Sequence, residues 1–235
     1  MSGLIRLGAS KLDLGFQPAE HLDSQDLQQD RMASDNGLSQ KSLGFVSVRH
    51  RMDQGYFGGY LLVNSVARPL EFHCTVPVQP TRAQTILFGP TLEEFLCGEQ
   101  IARALLSRAK LQPQVVLVDS PAVLCVRHWI DLPILCISKS HPASNAKSHP
   151  ASNANDGSQL PAEHGFHCPS YQRNPSQYVE RCIEDYKLSC LDSYRSDLEA
   201  IEWMLESHTI DLDLQEPFER IVEALAEAHP RTKAA

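Results

Sequence analysis

No apolar run in this 235-residue chain approaches the ~18 residues that a membrane-spanning helix needs. No secretory apolar region follows Met1-Ser2-Gly3-Leu4-Ile5-Arg6, so neither a span nor a signal peptide is expected. A Gly-rich phosphate loop and a nucleophile elbow are both missing. A basic surplus is missing too. The 21 Lys and Arg face 29 Asp and Glu, a formal net charge of −8, which argues against a general nucleic-acid or anionic-membrane binder. The seven cysteines cannot all pair, and Cys97, Cys125 and Cys136 lie inside apolar stretches as small hydrophobes do. Reduced thiols in the cytoplasm are the simplest reading.

Apolar residues make up 42% of the chain, enough for a sizeable core, but 15 Pro, 12 Gly and several polar tracts imply that not all of it folds. The charge is unevenly spread. Between Ser176 and Ala228 fourteen acidic residues face four basic ones, a net of −10. Between Leu43 and Ser138 eight basic residues face seven acidic ones, so the middle of the chain is nearly neutral.

Four segments follow. Residues 1–42 are rich in Gln, Asp and Ser without a sustained period, and read as disordered or loosely attached. Residues 43–138 carry the strongest structural signal. Leu43–Arg51, Tyr56–Val63 and Leu70–Val78 read as three strands of an antiparallel meander, with Gly58-Gly59 marking a bulge or a close backbone approach. Thr91 with Glu94 three residues on predicts a capping box, and Leu92, Phe95, Leu96, Ala102, Leu105, Leu106 and Ala109 recur at helical spacing. After Pro113 the run Val115-Val116-Leu117-Val118 predicts a buried parallel strand ending in Asp119. A short helix beginning near Pro121 and a strand over Leu132–Ile137 complete a β-β-β-α-β-α-β order.

Residues 139–160 contain the octapeptide Lys-Ser-His-Pro-Ala-Ser-Asn-Ala twice in tandem, a low-complexity linker that cannot build a core. Residues 161–235 are expected to be acidic and helical. Tyr178, Val179, Cys182, Ile183 and Tyr186 pattern one helix, Leu198, Ile201, Met204 and Leu205 a second, and Ile221, Val222 and Leu225 a third with Pro217 near its start. Such amphipathic faces dock either on a protein partner or on the chain itself.

Candidate sites are few. Glu99 falls on the apolar stripe of the main helix, where a carboxylate is costly unless it is paired or functional; an edge position paired with Arg103 is the bland alternative. Gly98 beside it could admit a close neighbour. Asp119 stands at the carboxyl end of a parallel strand, where α/β sheets gather ligands, unless it or Ser120 caps the helix that follows. Arg49, His50 and Arg51 form a small basic cluster that could meet a phosphate, or are exposed hairpin charges. His164, His167 and Cys168, with Cys182 and Cys190, resemble part of a zinc site, but their spacing is poor and the metal stays unknown.

A meander, a helix with an inward Glu and a strand ending Val-Leu-Val-Asp together resemble the ribonuclease H-like architecture, and Gln114–Lys139 is similar to endonuclease V. The resemblance implies carboxylates from strand ends and a helix holding divalent metals, Mg or Mn, for phosphodiester cleavage. It departs at the first strand, where that architecture expects an Asp and this chain has Phe45-Val46-Ser47-Val48-Arg49, with Asp53 only in the turn beyond. No complete catalytic constellation is present. The expectation is therefore a non-enzymatic interaction or regulatory α/β domain with acidic helices at its C-terminal end, with nucleic acid unlikely as a partner. The alternative is a divalent-metal-dependent phosphodiesterase or nuclease-like protein using Glu99 and Asp119, with Asp53 or Glu71 as a third carboxylate.

Overall fold

The computed structural model describes residues 4–5, 42–139, 177–183, 185–206 and 213–230. Ten residues of β2 (Ser42–Arg51) and ten of β3 (Gly55–Asn64) pair antiparallel, and β4 (Pro69–Thr75) continues the meander. Beyond a short helix α1 (Arg82–Phe88), the main helix is π-helical over Glu94–Ala102 and closes as α2 (Arg103–Leu106). Strand β5 (Val115–Val118) then lies parallel to β2, followed by a 3-10 segment, Pro121–His128, and by β6 (Ile134–Lys139), parallel to β5. This is the expected mixed α/β order, with a 3-10 segment in place of the second helix.

The C-terminal reading needs one correction. The segment patterned as a helix through Tyr178 and Ile183 is instead a hairpin, β7 (Tyr178–Ile183) and β8 (Tyr186–Leu191), and β8 pairs antiparallel with β6. Aromatic and β-branched residues suit a pleated surface, and pairing with an open sheet edge outweighs a short helical period. The two later helices occur as α3 (Asp197–Glu206) and α4 (Glu216–Ala228). A two-residue strand β1, Leu4–Ile5, pairs with β4 in a segment expected to lack regular structure. The sheet order is β1-β4-β3-β2-β5-β6-β8-β7. The tandem octapeptide, apart from Lys139, lies outside the described residues, as do His164, His167 and Cys168.

Both faces of the sheet are covered. Leu43, Phe45, Phe57, Leu61, Leu117 and Leu135 face α3 and α4, which contribute Leu198, Ile201, Phe218, Ile221 and Leu225. Val46, Val48, Tyr60, Leu62, Val116 and Val118 face Leu96, Cys97, Ile101 and Leu105 of the main helix and Val123 and Leu124 of the 3-10 segment. The acidic C-terminal helices therefore dock on their own chain, hiding their apolar stripes and leaving Glu199, Glu219, Glu223 and Glu227 exposed, while Asp197 is buried. No helix among the described residues is long and apolar enough to cross a membrane.

Gly58 and Gly59 set the spacing of these layers. A Cβ at Gly58 would lie 2.1 Å from Ile101 Cγ2 on one face, and a Cβ at Gly59 would lie 2.4 Å from Ile221 Cγ2 on the other. The pair thus marks close approach; the irregularity in β3 falls later, between Leu62 and Val63. The capping box also sits elsewhere than expected. Thr81 and Gln84 form it at the start of α1, whereas the Thr91 hydroxyl donates to the Phe88 carbonyl. Gly58→Ala should lower stability by about 1–3 kcal/mol through overpacking against Ile101, measured by urea unfolding.

The last described turn is latched to the sheet through His229. Its Nε2–H donates to the Thr75 carbonyl at 2.9 Å, and its own carbonyl accepts from Arg51 Nη1 at 2.8 Å. Burial lowers the imidazole pKa below its ordinary value of 6.5; the Arg51 charge adds to this, and the Thr75 bond only partly opposes it. The fold thus favours neutral His229, and the unfolded chain takes up the proton first. This contribution is full above pH 6.5 and is lost as the pH falls below it. Thermal midpoints measured from pH 7.5 to 5 should decline less steeply in His229→Gln than in the wild type.

Candidate functional site

Asp119 directly follows β5, whose last residue, Val118, is in register with Val46 of the parallel strand β2. Side chains alternate along β2, so Phe45, Ser47, Arg49 and Arg51 share one face. Asp119 reaches that face. The Ser47 hydroxyl donates to Asp119 Oδ2 at 2.8 Å, and Arg49 Nη2 donates to the same oxygen at 2.6 Å. Arg49 Nη1 also donates to the Val48 carbonyl at 3.1 Å. The ion pair is enclosed, with side chains 4% and 1% exposed for Arg49 and Asp119. Asp119 Oδ1 is buried and accepts no hydrogen bond within the described residues.

Asp119 is therefore not a helix cap. Ser120 occupies the N-cap position of the 3-10 segment, but without a capping side-chain bond.

Glu99 lies elsewhere. It is half-buried on the π-helix, where its charge acts on the Cys125 thiol. Burial first, then Glu94 and Glu99, pushes that thiol up to about 12, so Cys125 is an inert, protonated group. The neighbour that Gly98 admits is this same residue: a Cβ there would lie 2.1 Å from Cys125 Sγ. The Arg103 expected to pair with Glu99 stands over the Trp129 ring instead, 5.8 Å from its centroid. Among the described residues no hydrogen bond or ion pair joins Glu99 to Asp119.

Neither suggested third carboxylate joins them. Asp53 is exposed in the turn after β2. Glu71 accepts from the Lys110 and Leu111 amides and pairs with His73, so it clamps the end of the main helix. Burial opposes its ionisation, but the Lys110 amide, the His73 ring and the Leu111 amide hold its pKa below the ordinary carboxylate value. The basic cluster is not a set of exposed hairpin charges either. Arg49 and Arg51 are 4% and 3% exposed, Arg51 bonds to Gln54 and to the His229 carbonyl, and the His50 ring lies tilted against Tyr56 with centroids 4.4 Å apart. Of the zinc-type residues, Cys182 is exposed and Cys190 buried.

Sequence reasoning missed Ser47 and Arg49 as partners of Asp119. The available signal was three polar residues, Ser47, Arg49 and Arg51, at alternate positions of an otherwise buried strand. It also missed the clasp in which Arg127 pairs with Asp197 at 2.9 Å while Asp197 accepts from the Ile134 amide at 3.0 Å. That clasp ties α3 to β6 and the 3-10 segment.

No family model matches the chain, and no curated protein does. Among solved structures, the chain is similar to Ciona intestinalis endonuclease V in complex with a 23mer DNA containing an inosine followed by a ribo-adenosine. That likeness has 15% identity, covers 52% of this chain and 60% of that one, and has a TM-score of 0.31. A second Ciona complex, with a 24mer DNA, gives 15% identity over 52% and 63% of the two chains at a TM-score of 0.29. Human ENDOV gives 12% identity over 86% and 97% at 0.39. This chain thus spans less than two thirds of either Ciona chain. Such identities assign no residue roles here. They do correct two expectations: the similar structures are endonucleases, two of them holding DNA, in place of an interaction or regulatory domain for which nucleic acid is unlikely.

Removing one member of the buried pair leaves the other charge uncompensated. Asp119→Asn should cost about 3–5 kcal/mol, whereas Arg49→Met combined with Asp119→Leu should come within about 1–2 kcal/mol of the wild type. A double-mutant cycle by chemical unfolding measures both values.

Proposed function

We propose that this protein is a nuclease-like protein of ribonuclease H-like fold that engages nucleic acid at the carboxyl ends of β2 and β5, around Asp119. One observation carries the reading. A buried aspartate closes the central parallel strand and is cross-linked to polar residues of the strand beside it, at the place where parallel α/β sheets gather ligands. A core serves packing alone more cheaply with apolar side chains, so a Ser-Arg-Asp network there supports a site. With a net charge of −8, the chain would bind through a localised contact and with a shallow salt dependence. Among the described residues six cysteines are free, four of them buried, in keeping with a reducing cytoplasm.

A nuclease of this architecture implies Mg or Mn held by several carboxylates, and the residues present do not fit that requirement. Asp119 Oδ2 already meets a guanidinium, Glu99, Asp53 and Glu71 make no described contact with Asp119, and no group of three or more His, Cys, Asp or Glu among the described residues could hold a metal. No reaction step is therefore assigned to a metal. Asp119 is central to the proposal, and Glu99 is an outlying carboxylate on the main helix.

The test is fluorescence anisotropy with labelled single-stranded and duplex DNA and RNA, run beside a gel assay for cleavage. Wild-type protein should bind at least one of these at micromolar concentration, and the folded Arg49→Met/Asp119→Leu variant should bind about tenfold or more weakly. Failure of the wild type to bind any of them, or equal binding by both proteins, would overturn the proposal.

A further inference from the structure

We propose that Arg49 is the resident cation of this site: its guanidinium holds the place beside Asp119 that a divalent metal would need, so the folded protein takes up no metal there. Relevance to nucleic acid rests on the reading above, but the exclusion itself stands on the local geometry.

A carboxylate site for Mg or Mn presents net negative charge and oxygens free to enter a compact octahedral shell. Here the charges cancel within one enclosed pair. Arg49 Nη2 lies 2.6 Å from Asp119 Oδ2, and neither side chain is more than 4% exposed. The guanidinium cannot be neutralised by losing a proton. A metal could reach Oδ2 only by displacing the buried guanidinium from its ion pair with Asp119. Ser47 closes the second route. It stands at the strand position from which a second carboxylate would reach Asp119, and its hydroxyl donates to the same Oδ2 at 2.8 Å. Asp119 Oδ2 therefore already accepts two hydrogen bonds, one from a full positive charge, and the carboxylate has only its buried Oδ1 left to offer a metal, too little for a compact octahedral shell.

Two substitutions should reverse this. Ser47→Asp with Arg49→Met removes the cation, frees Oδ2 and adds a second carboxylate next to Asp119. The experiment uses the full chain and manganese alone, reading free Mn²⁺ by electron paramagnetic resonance and folding by thermal unfolding. Wild type should take up no Mn²⁺ that is absent from the Arg49→Met/Asp119→Leu variant, and its midpoint should move by less than about 1 °C at millimolar metal. The Ser47→Asp/Arg49→Met protein should bind about one equivalent, with its midpoint raised by about 3 °C or more through mass action.

Wild-type binding of one equivalent, lost in Arg49→Met/Asp119→Leu, would overturn the inference. So would a natively folded Ser47→Asp/Arg49→Met protein that binds none. Should that variant not fold, the wild-type comparison decides alone. No nucleic acid is present, so this test and the binding test can fail independently.

Discussion

A buried charge pair in the middle of the sheet constrains everything around it. Arg49 and Asp119 stand at the carboxyl ends of adjacent parallel strands, and each is tolerable there only because the other is present. The pair fixes the register of β2 against β5 more tightly than apolar contacts alone could, since a one-residue slip would turn the guanidinium to the opposite face and strand both charges. Ser47 adds a neutral bond to the same carboxylate oxygen.

Around that pair the two layers close by size complementarity. Gly58 and Gly59, adjacent in β3, open their space to opposite faces, so the main helix can settle on one side and α4 on the other. The π-helical geometry of Glu94–Ala102 accompanies a third close approach, where Gly98 lies against Cys125 and the 3-10 segment. Helices α3 and α4 have their apolar stripes buried on the same sheet, and Glu199, Glu219, Glu223 and Glu227 stay on the solvated outer surface.

A net charge of −8 sums over the whole chain, while recognition is decided over a few neighbouring side chains. At the strand ends Asp119 is paired with Arg49. An apolar helix stripe suggests an external partner only until an open sheet face of the same chain is available to cover it.

The sequence by itself determined the meander, the main helix and the parallel strand ending in Asp119, because each depends on a local period; at Gly58-Gly59 it left a bulge and a close approach open. It also singled out Glu99, through charge on an apolar stripe, and Asp119, through its place at the carboxyl end of a parallel strand. Tertiary structure alone decided what those carboxylates face. Asp119 meets a residue 70 positions earlier, and the charge of Glu99 acts on the Cys125 thiol; neither relation leaves a trace in local spacing. The segment through Tyr178 and Ile183 was decided in the same way. Its short pattern satisfies helix and strand about equally, and the free edge of β6 supplies hydrogen bonds that only a strand can use.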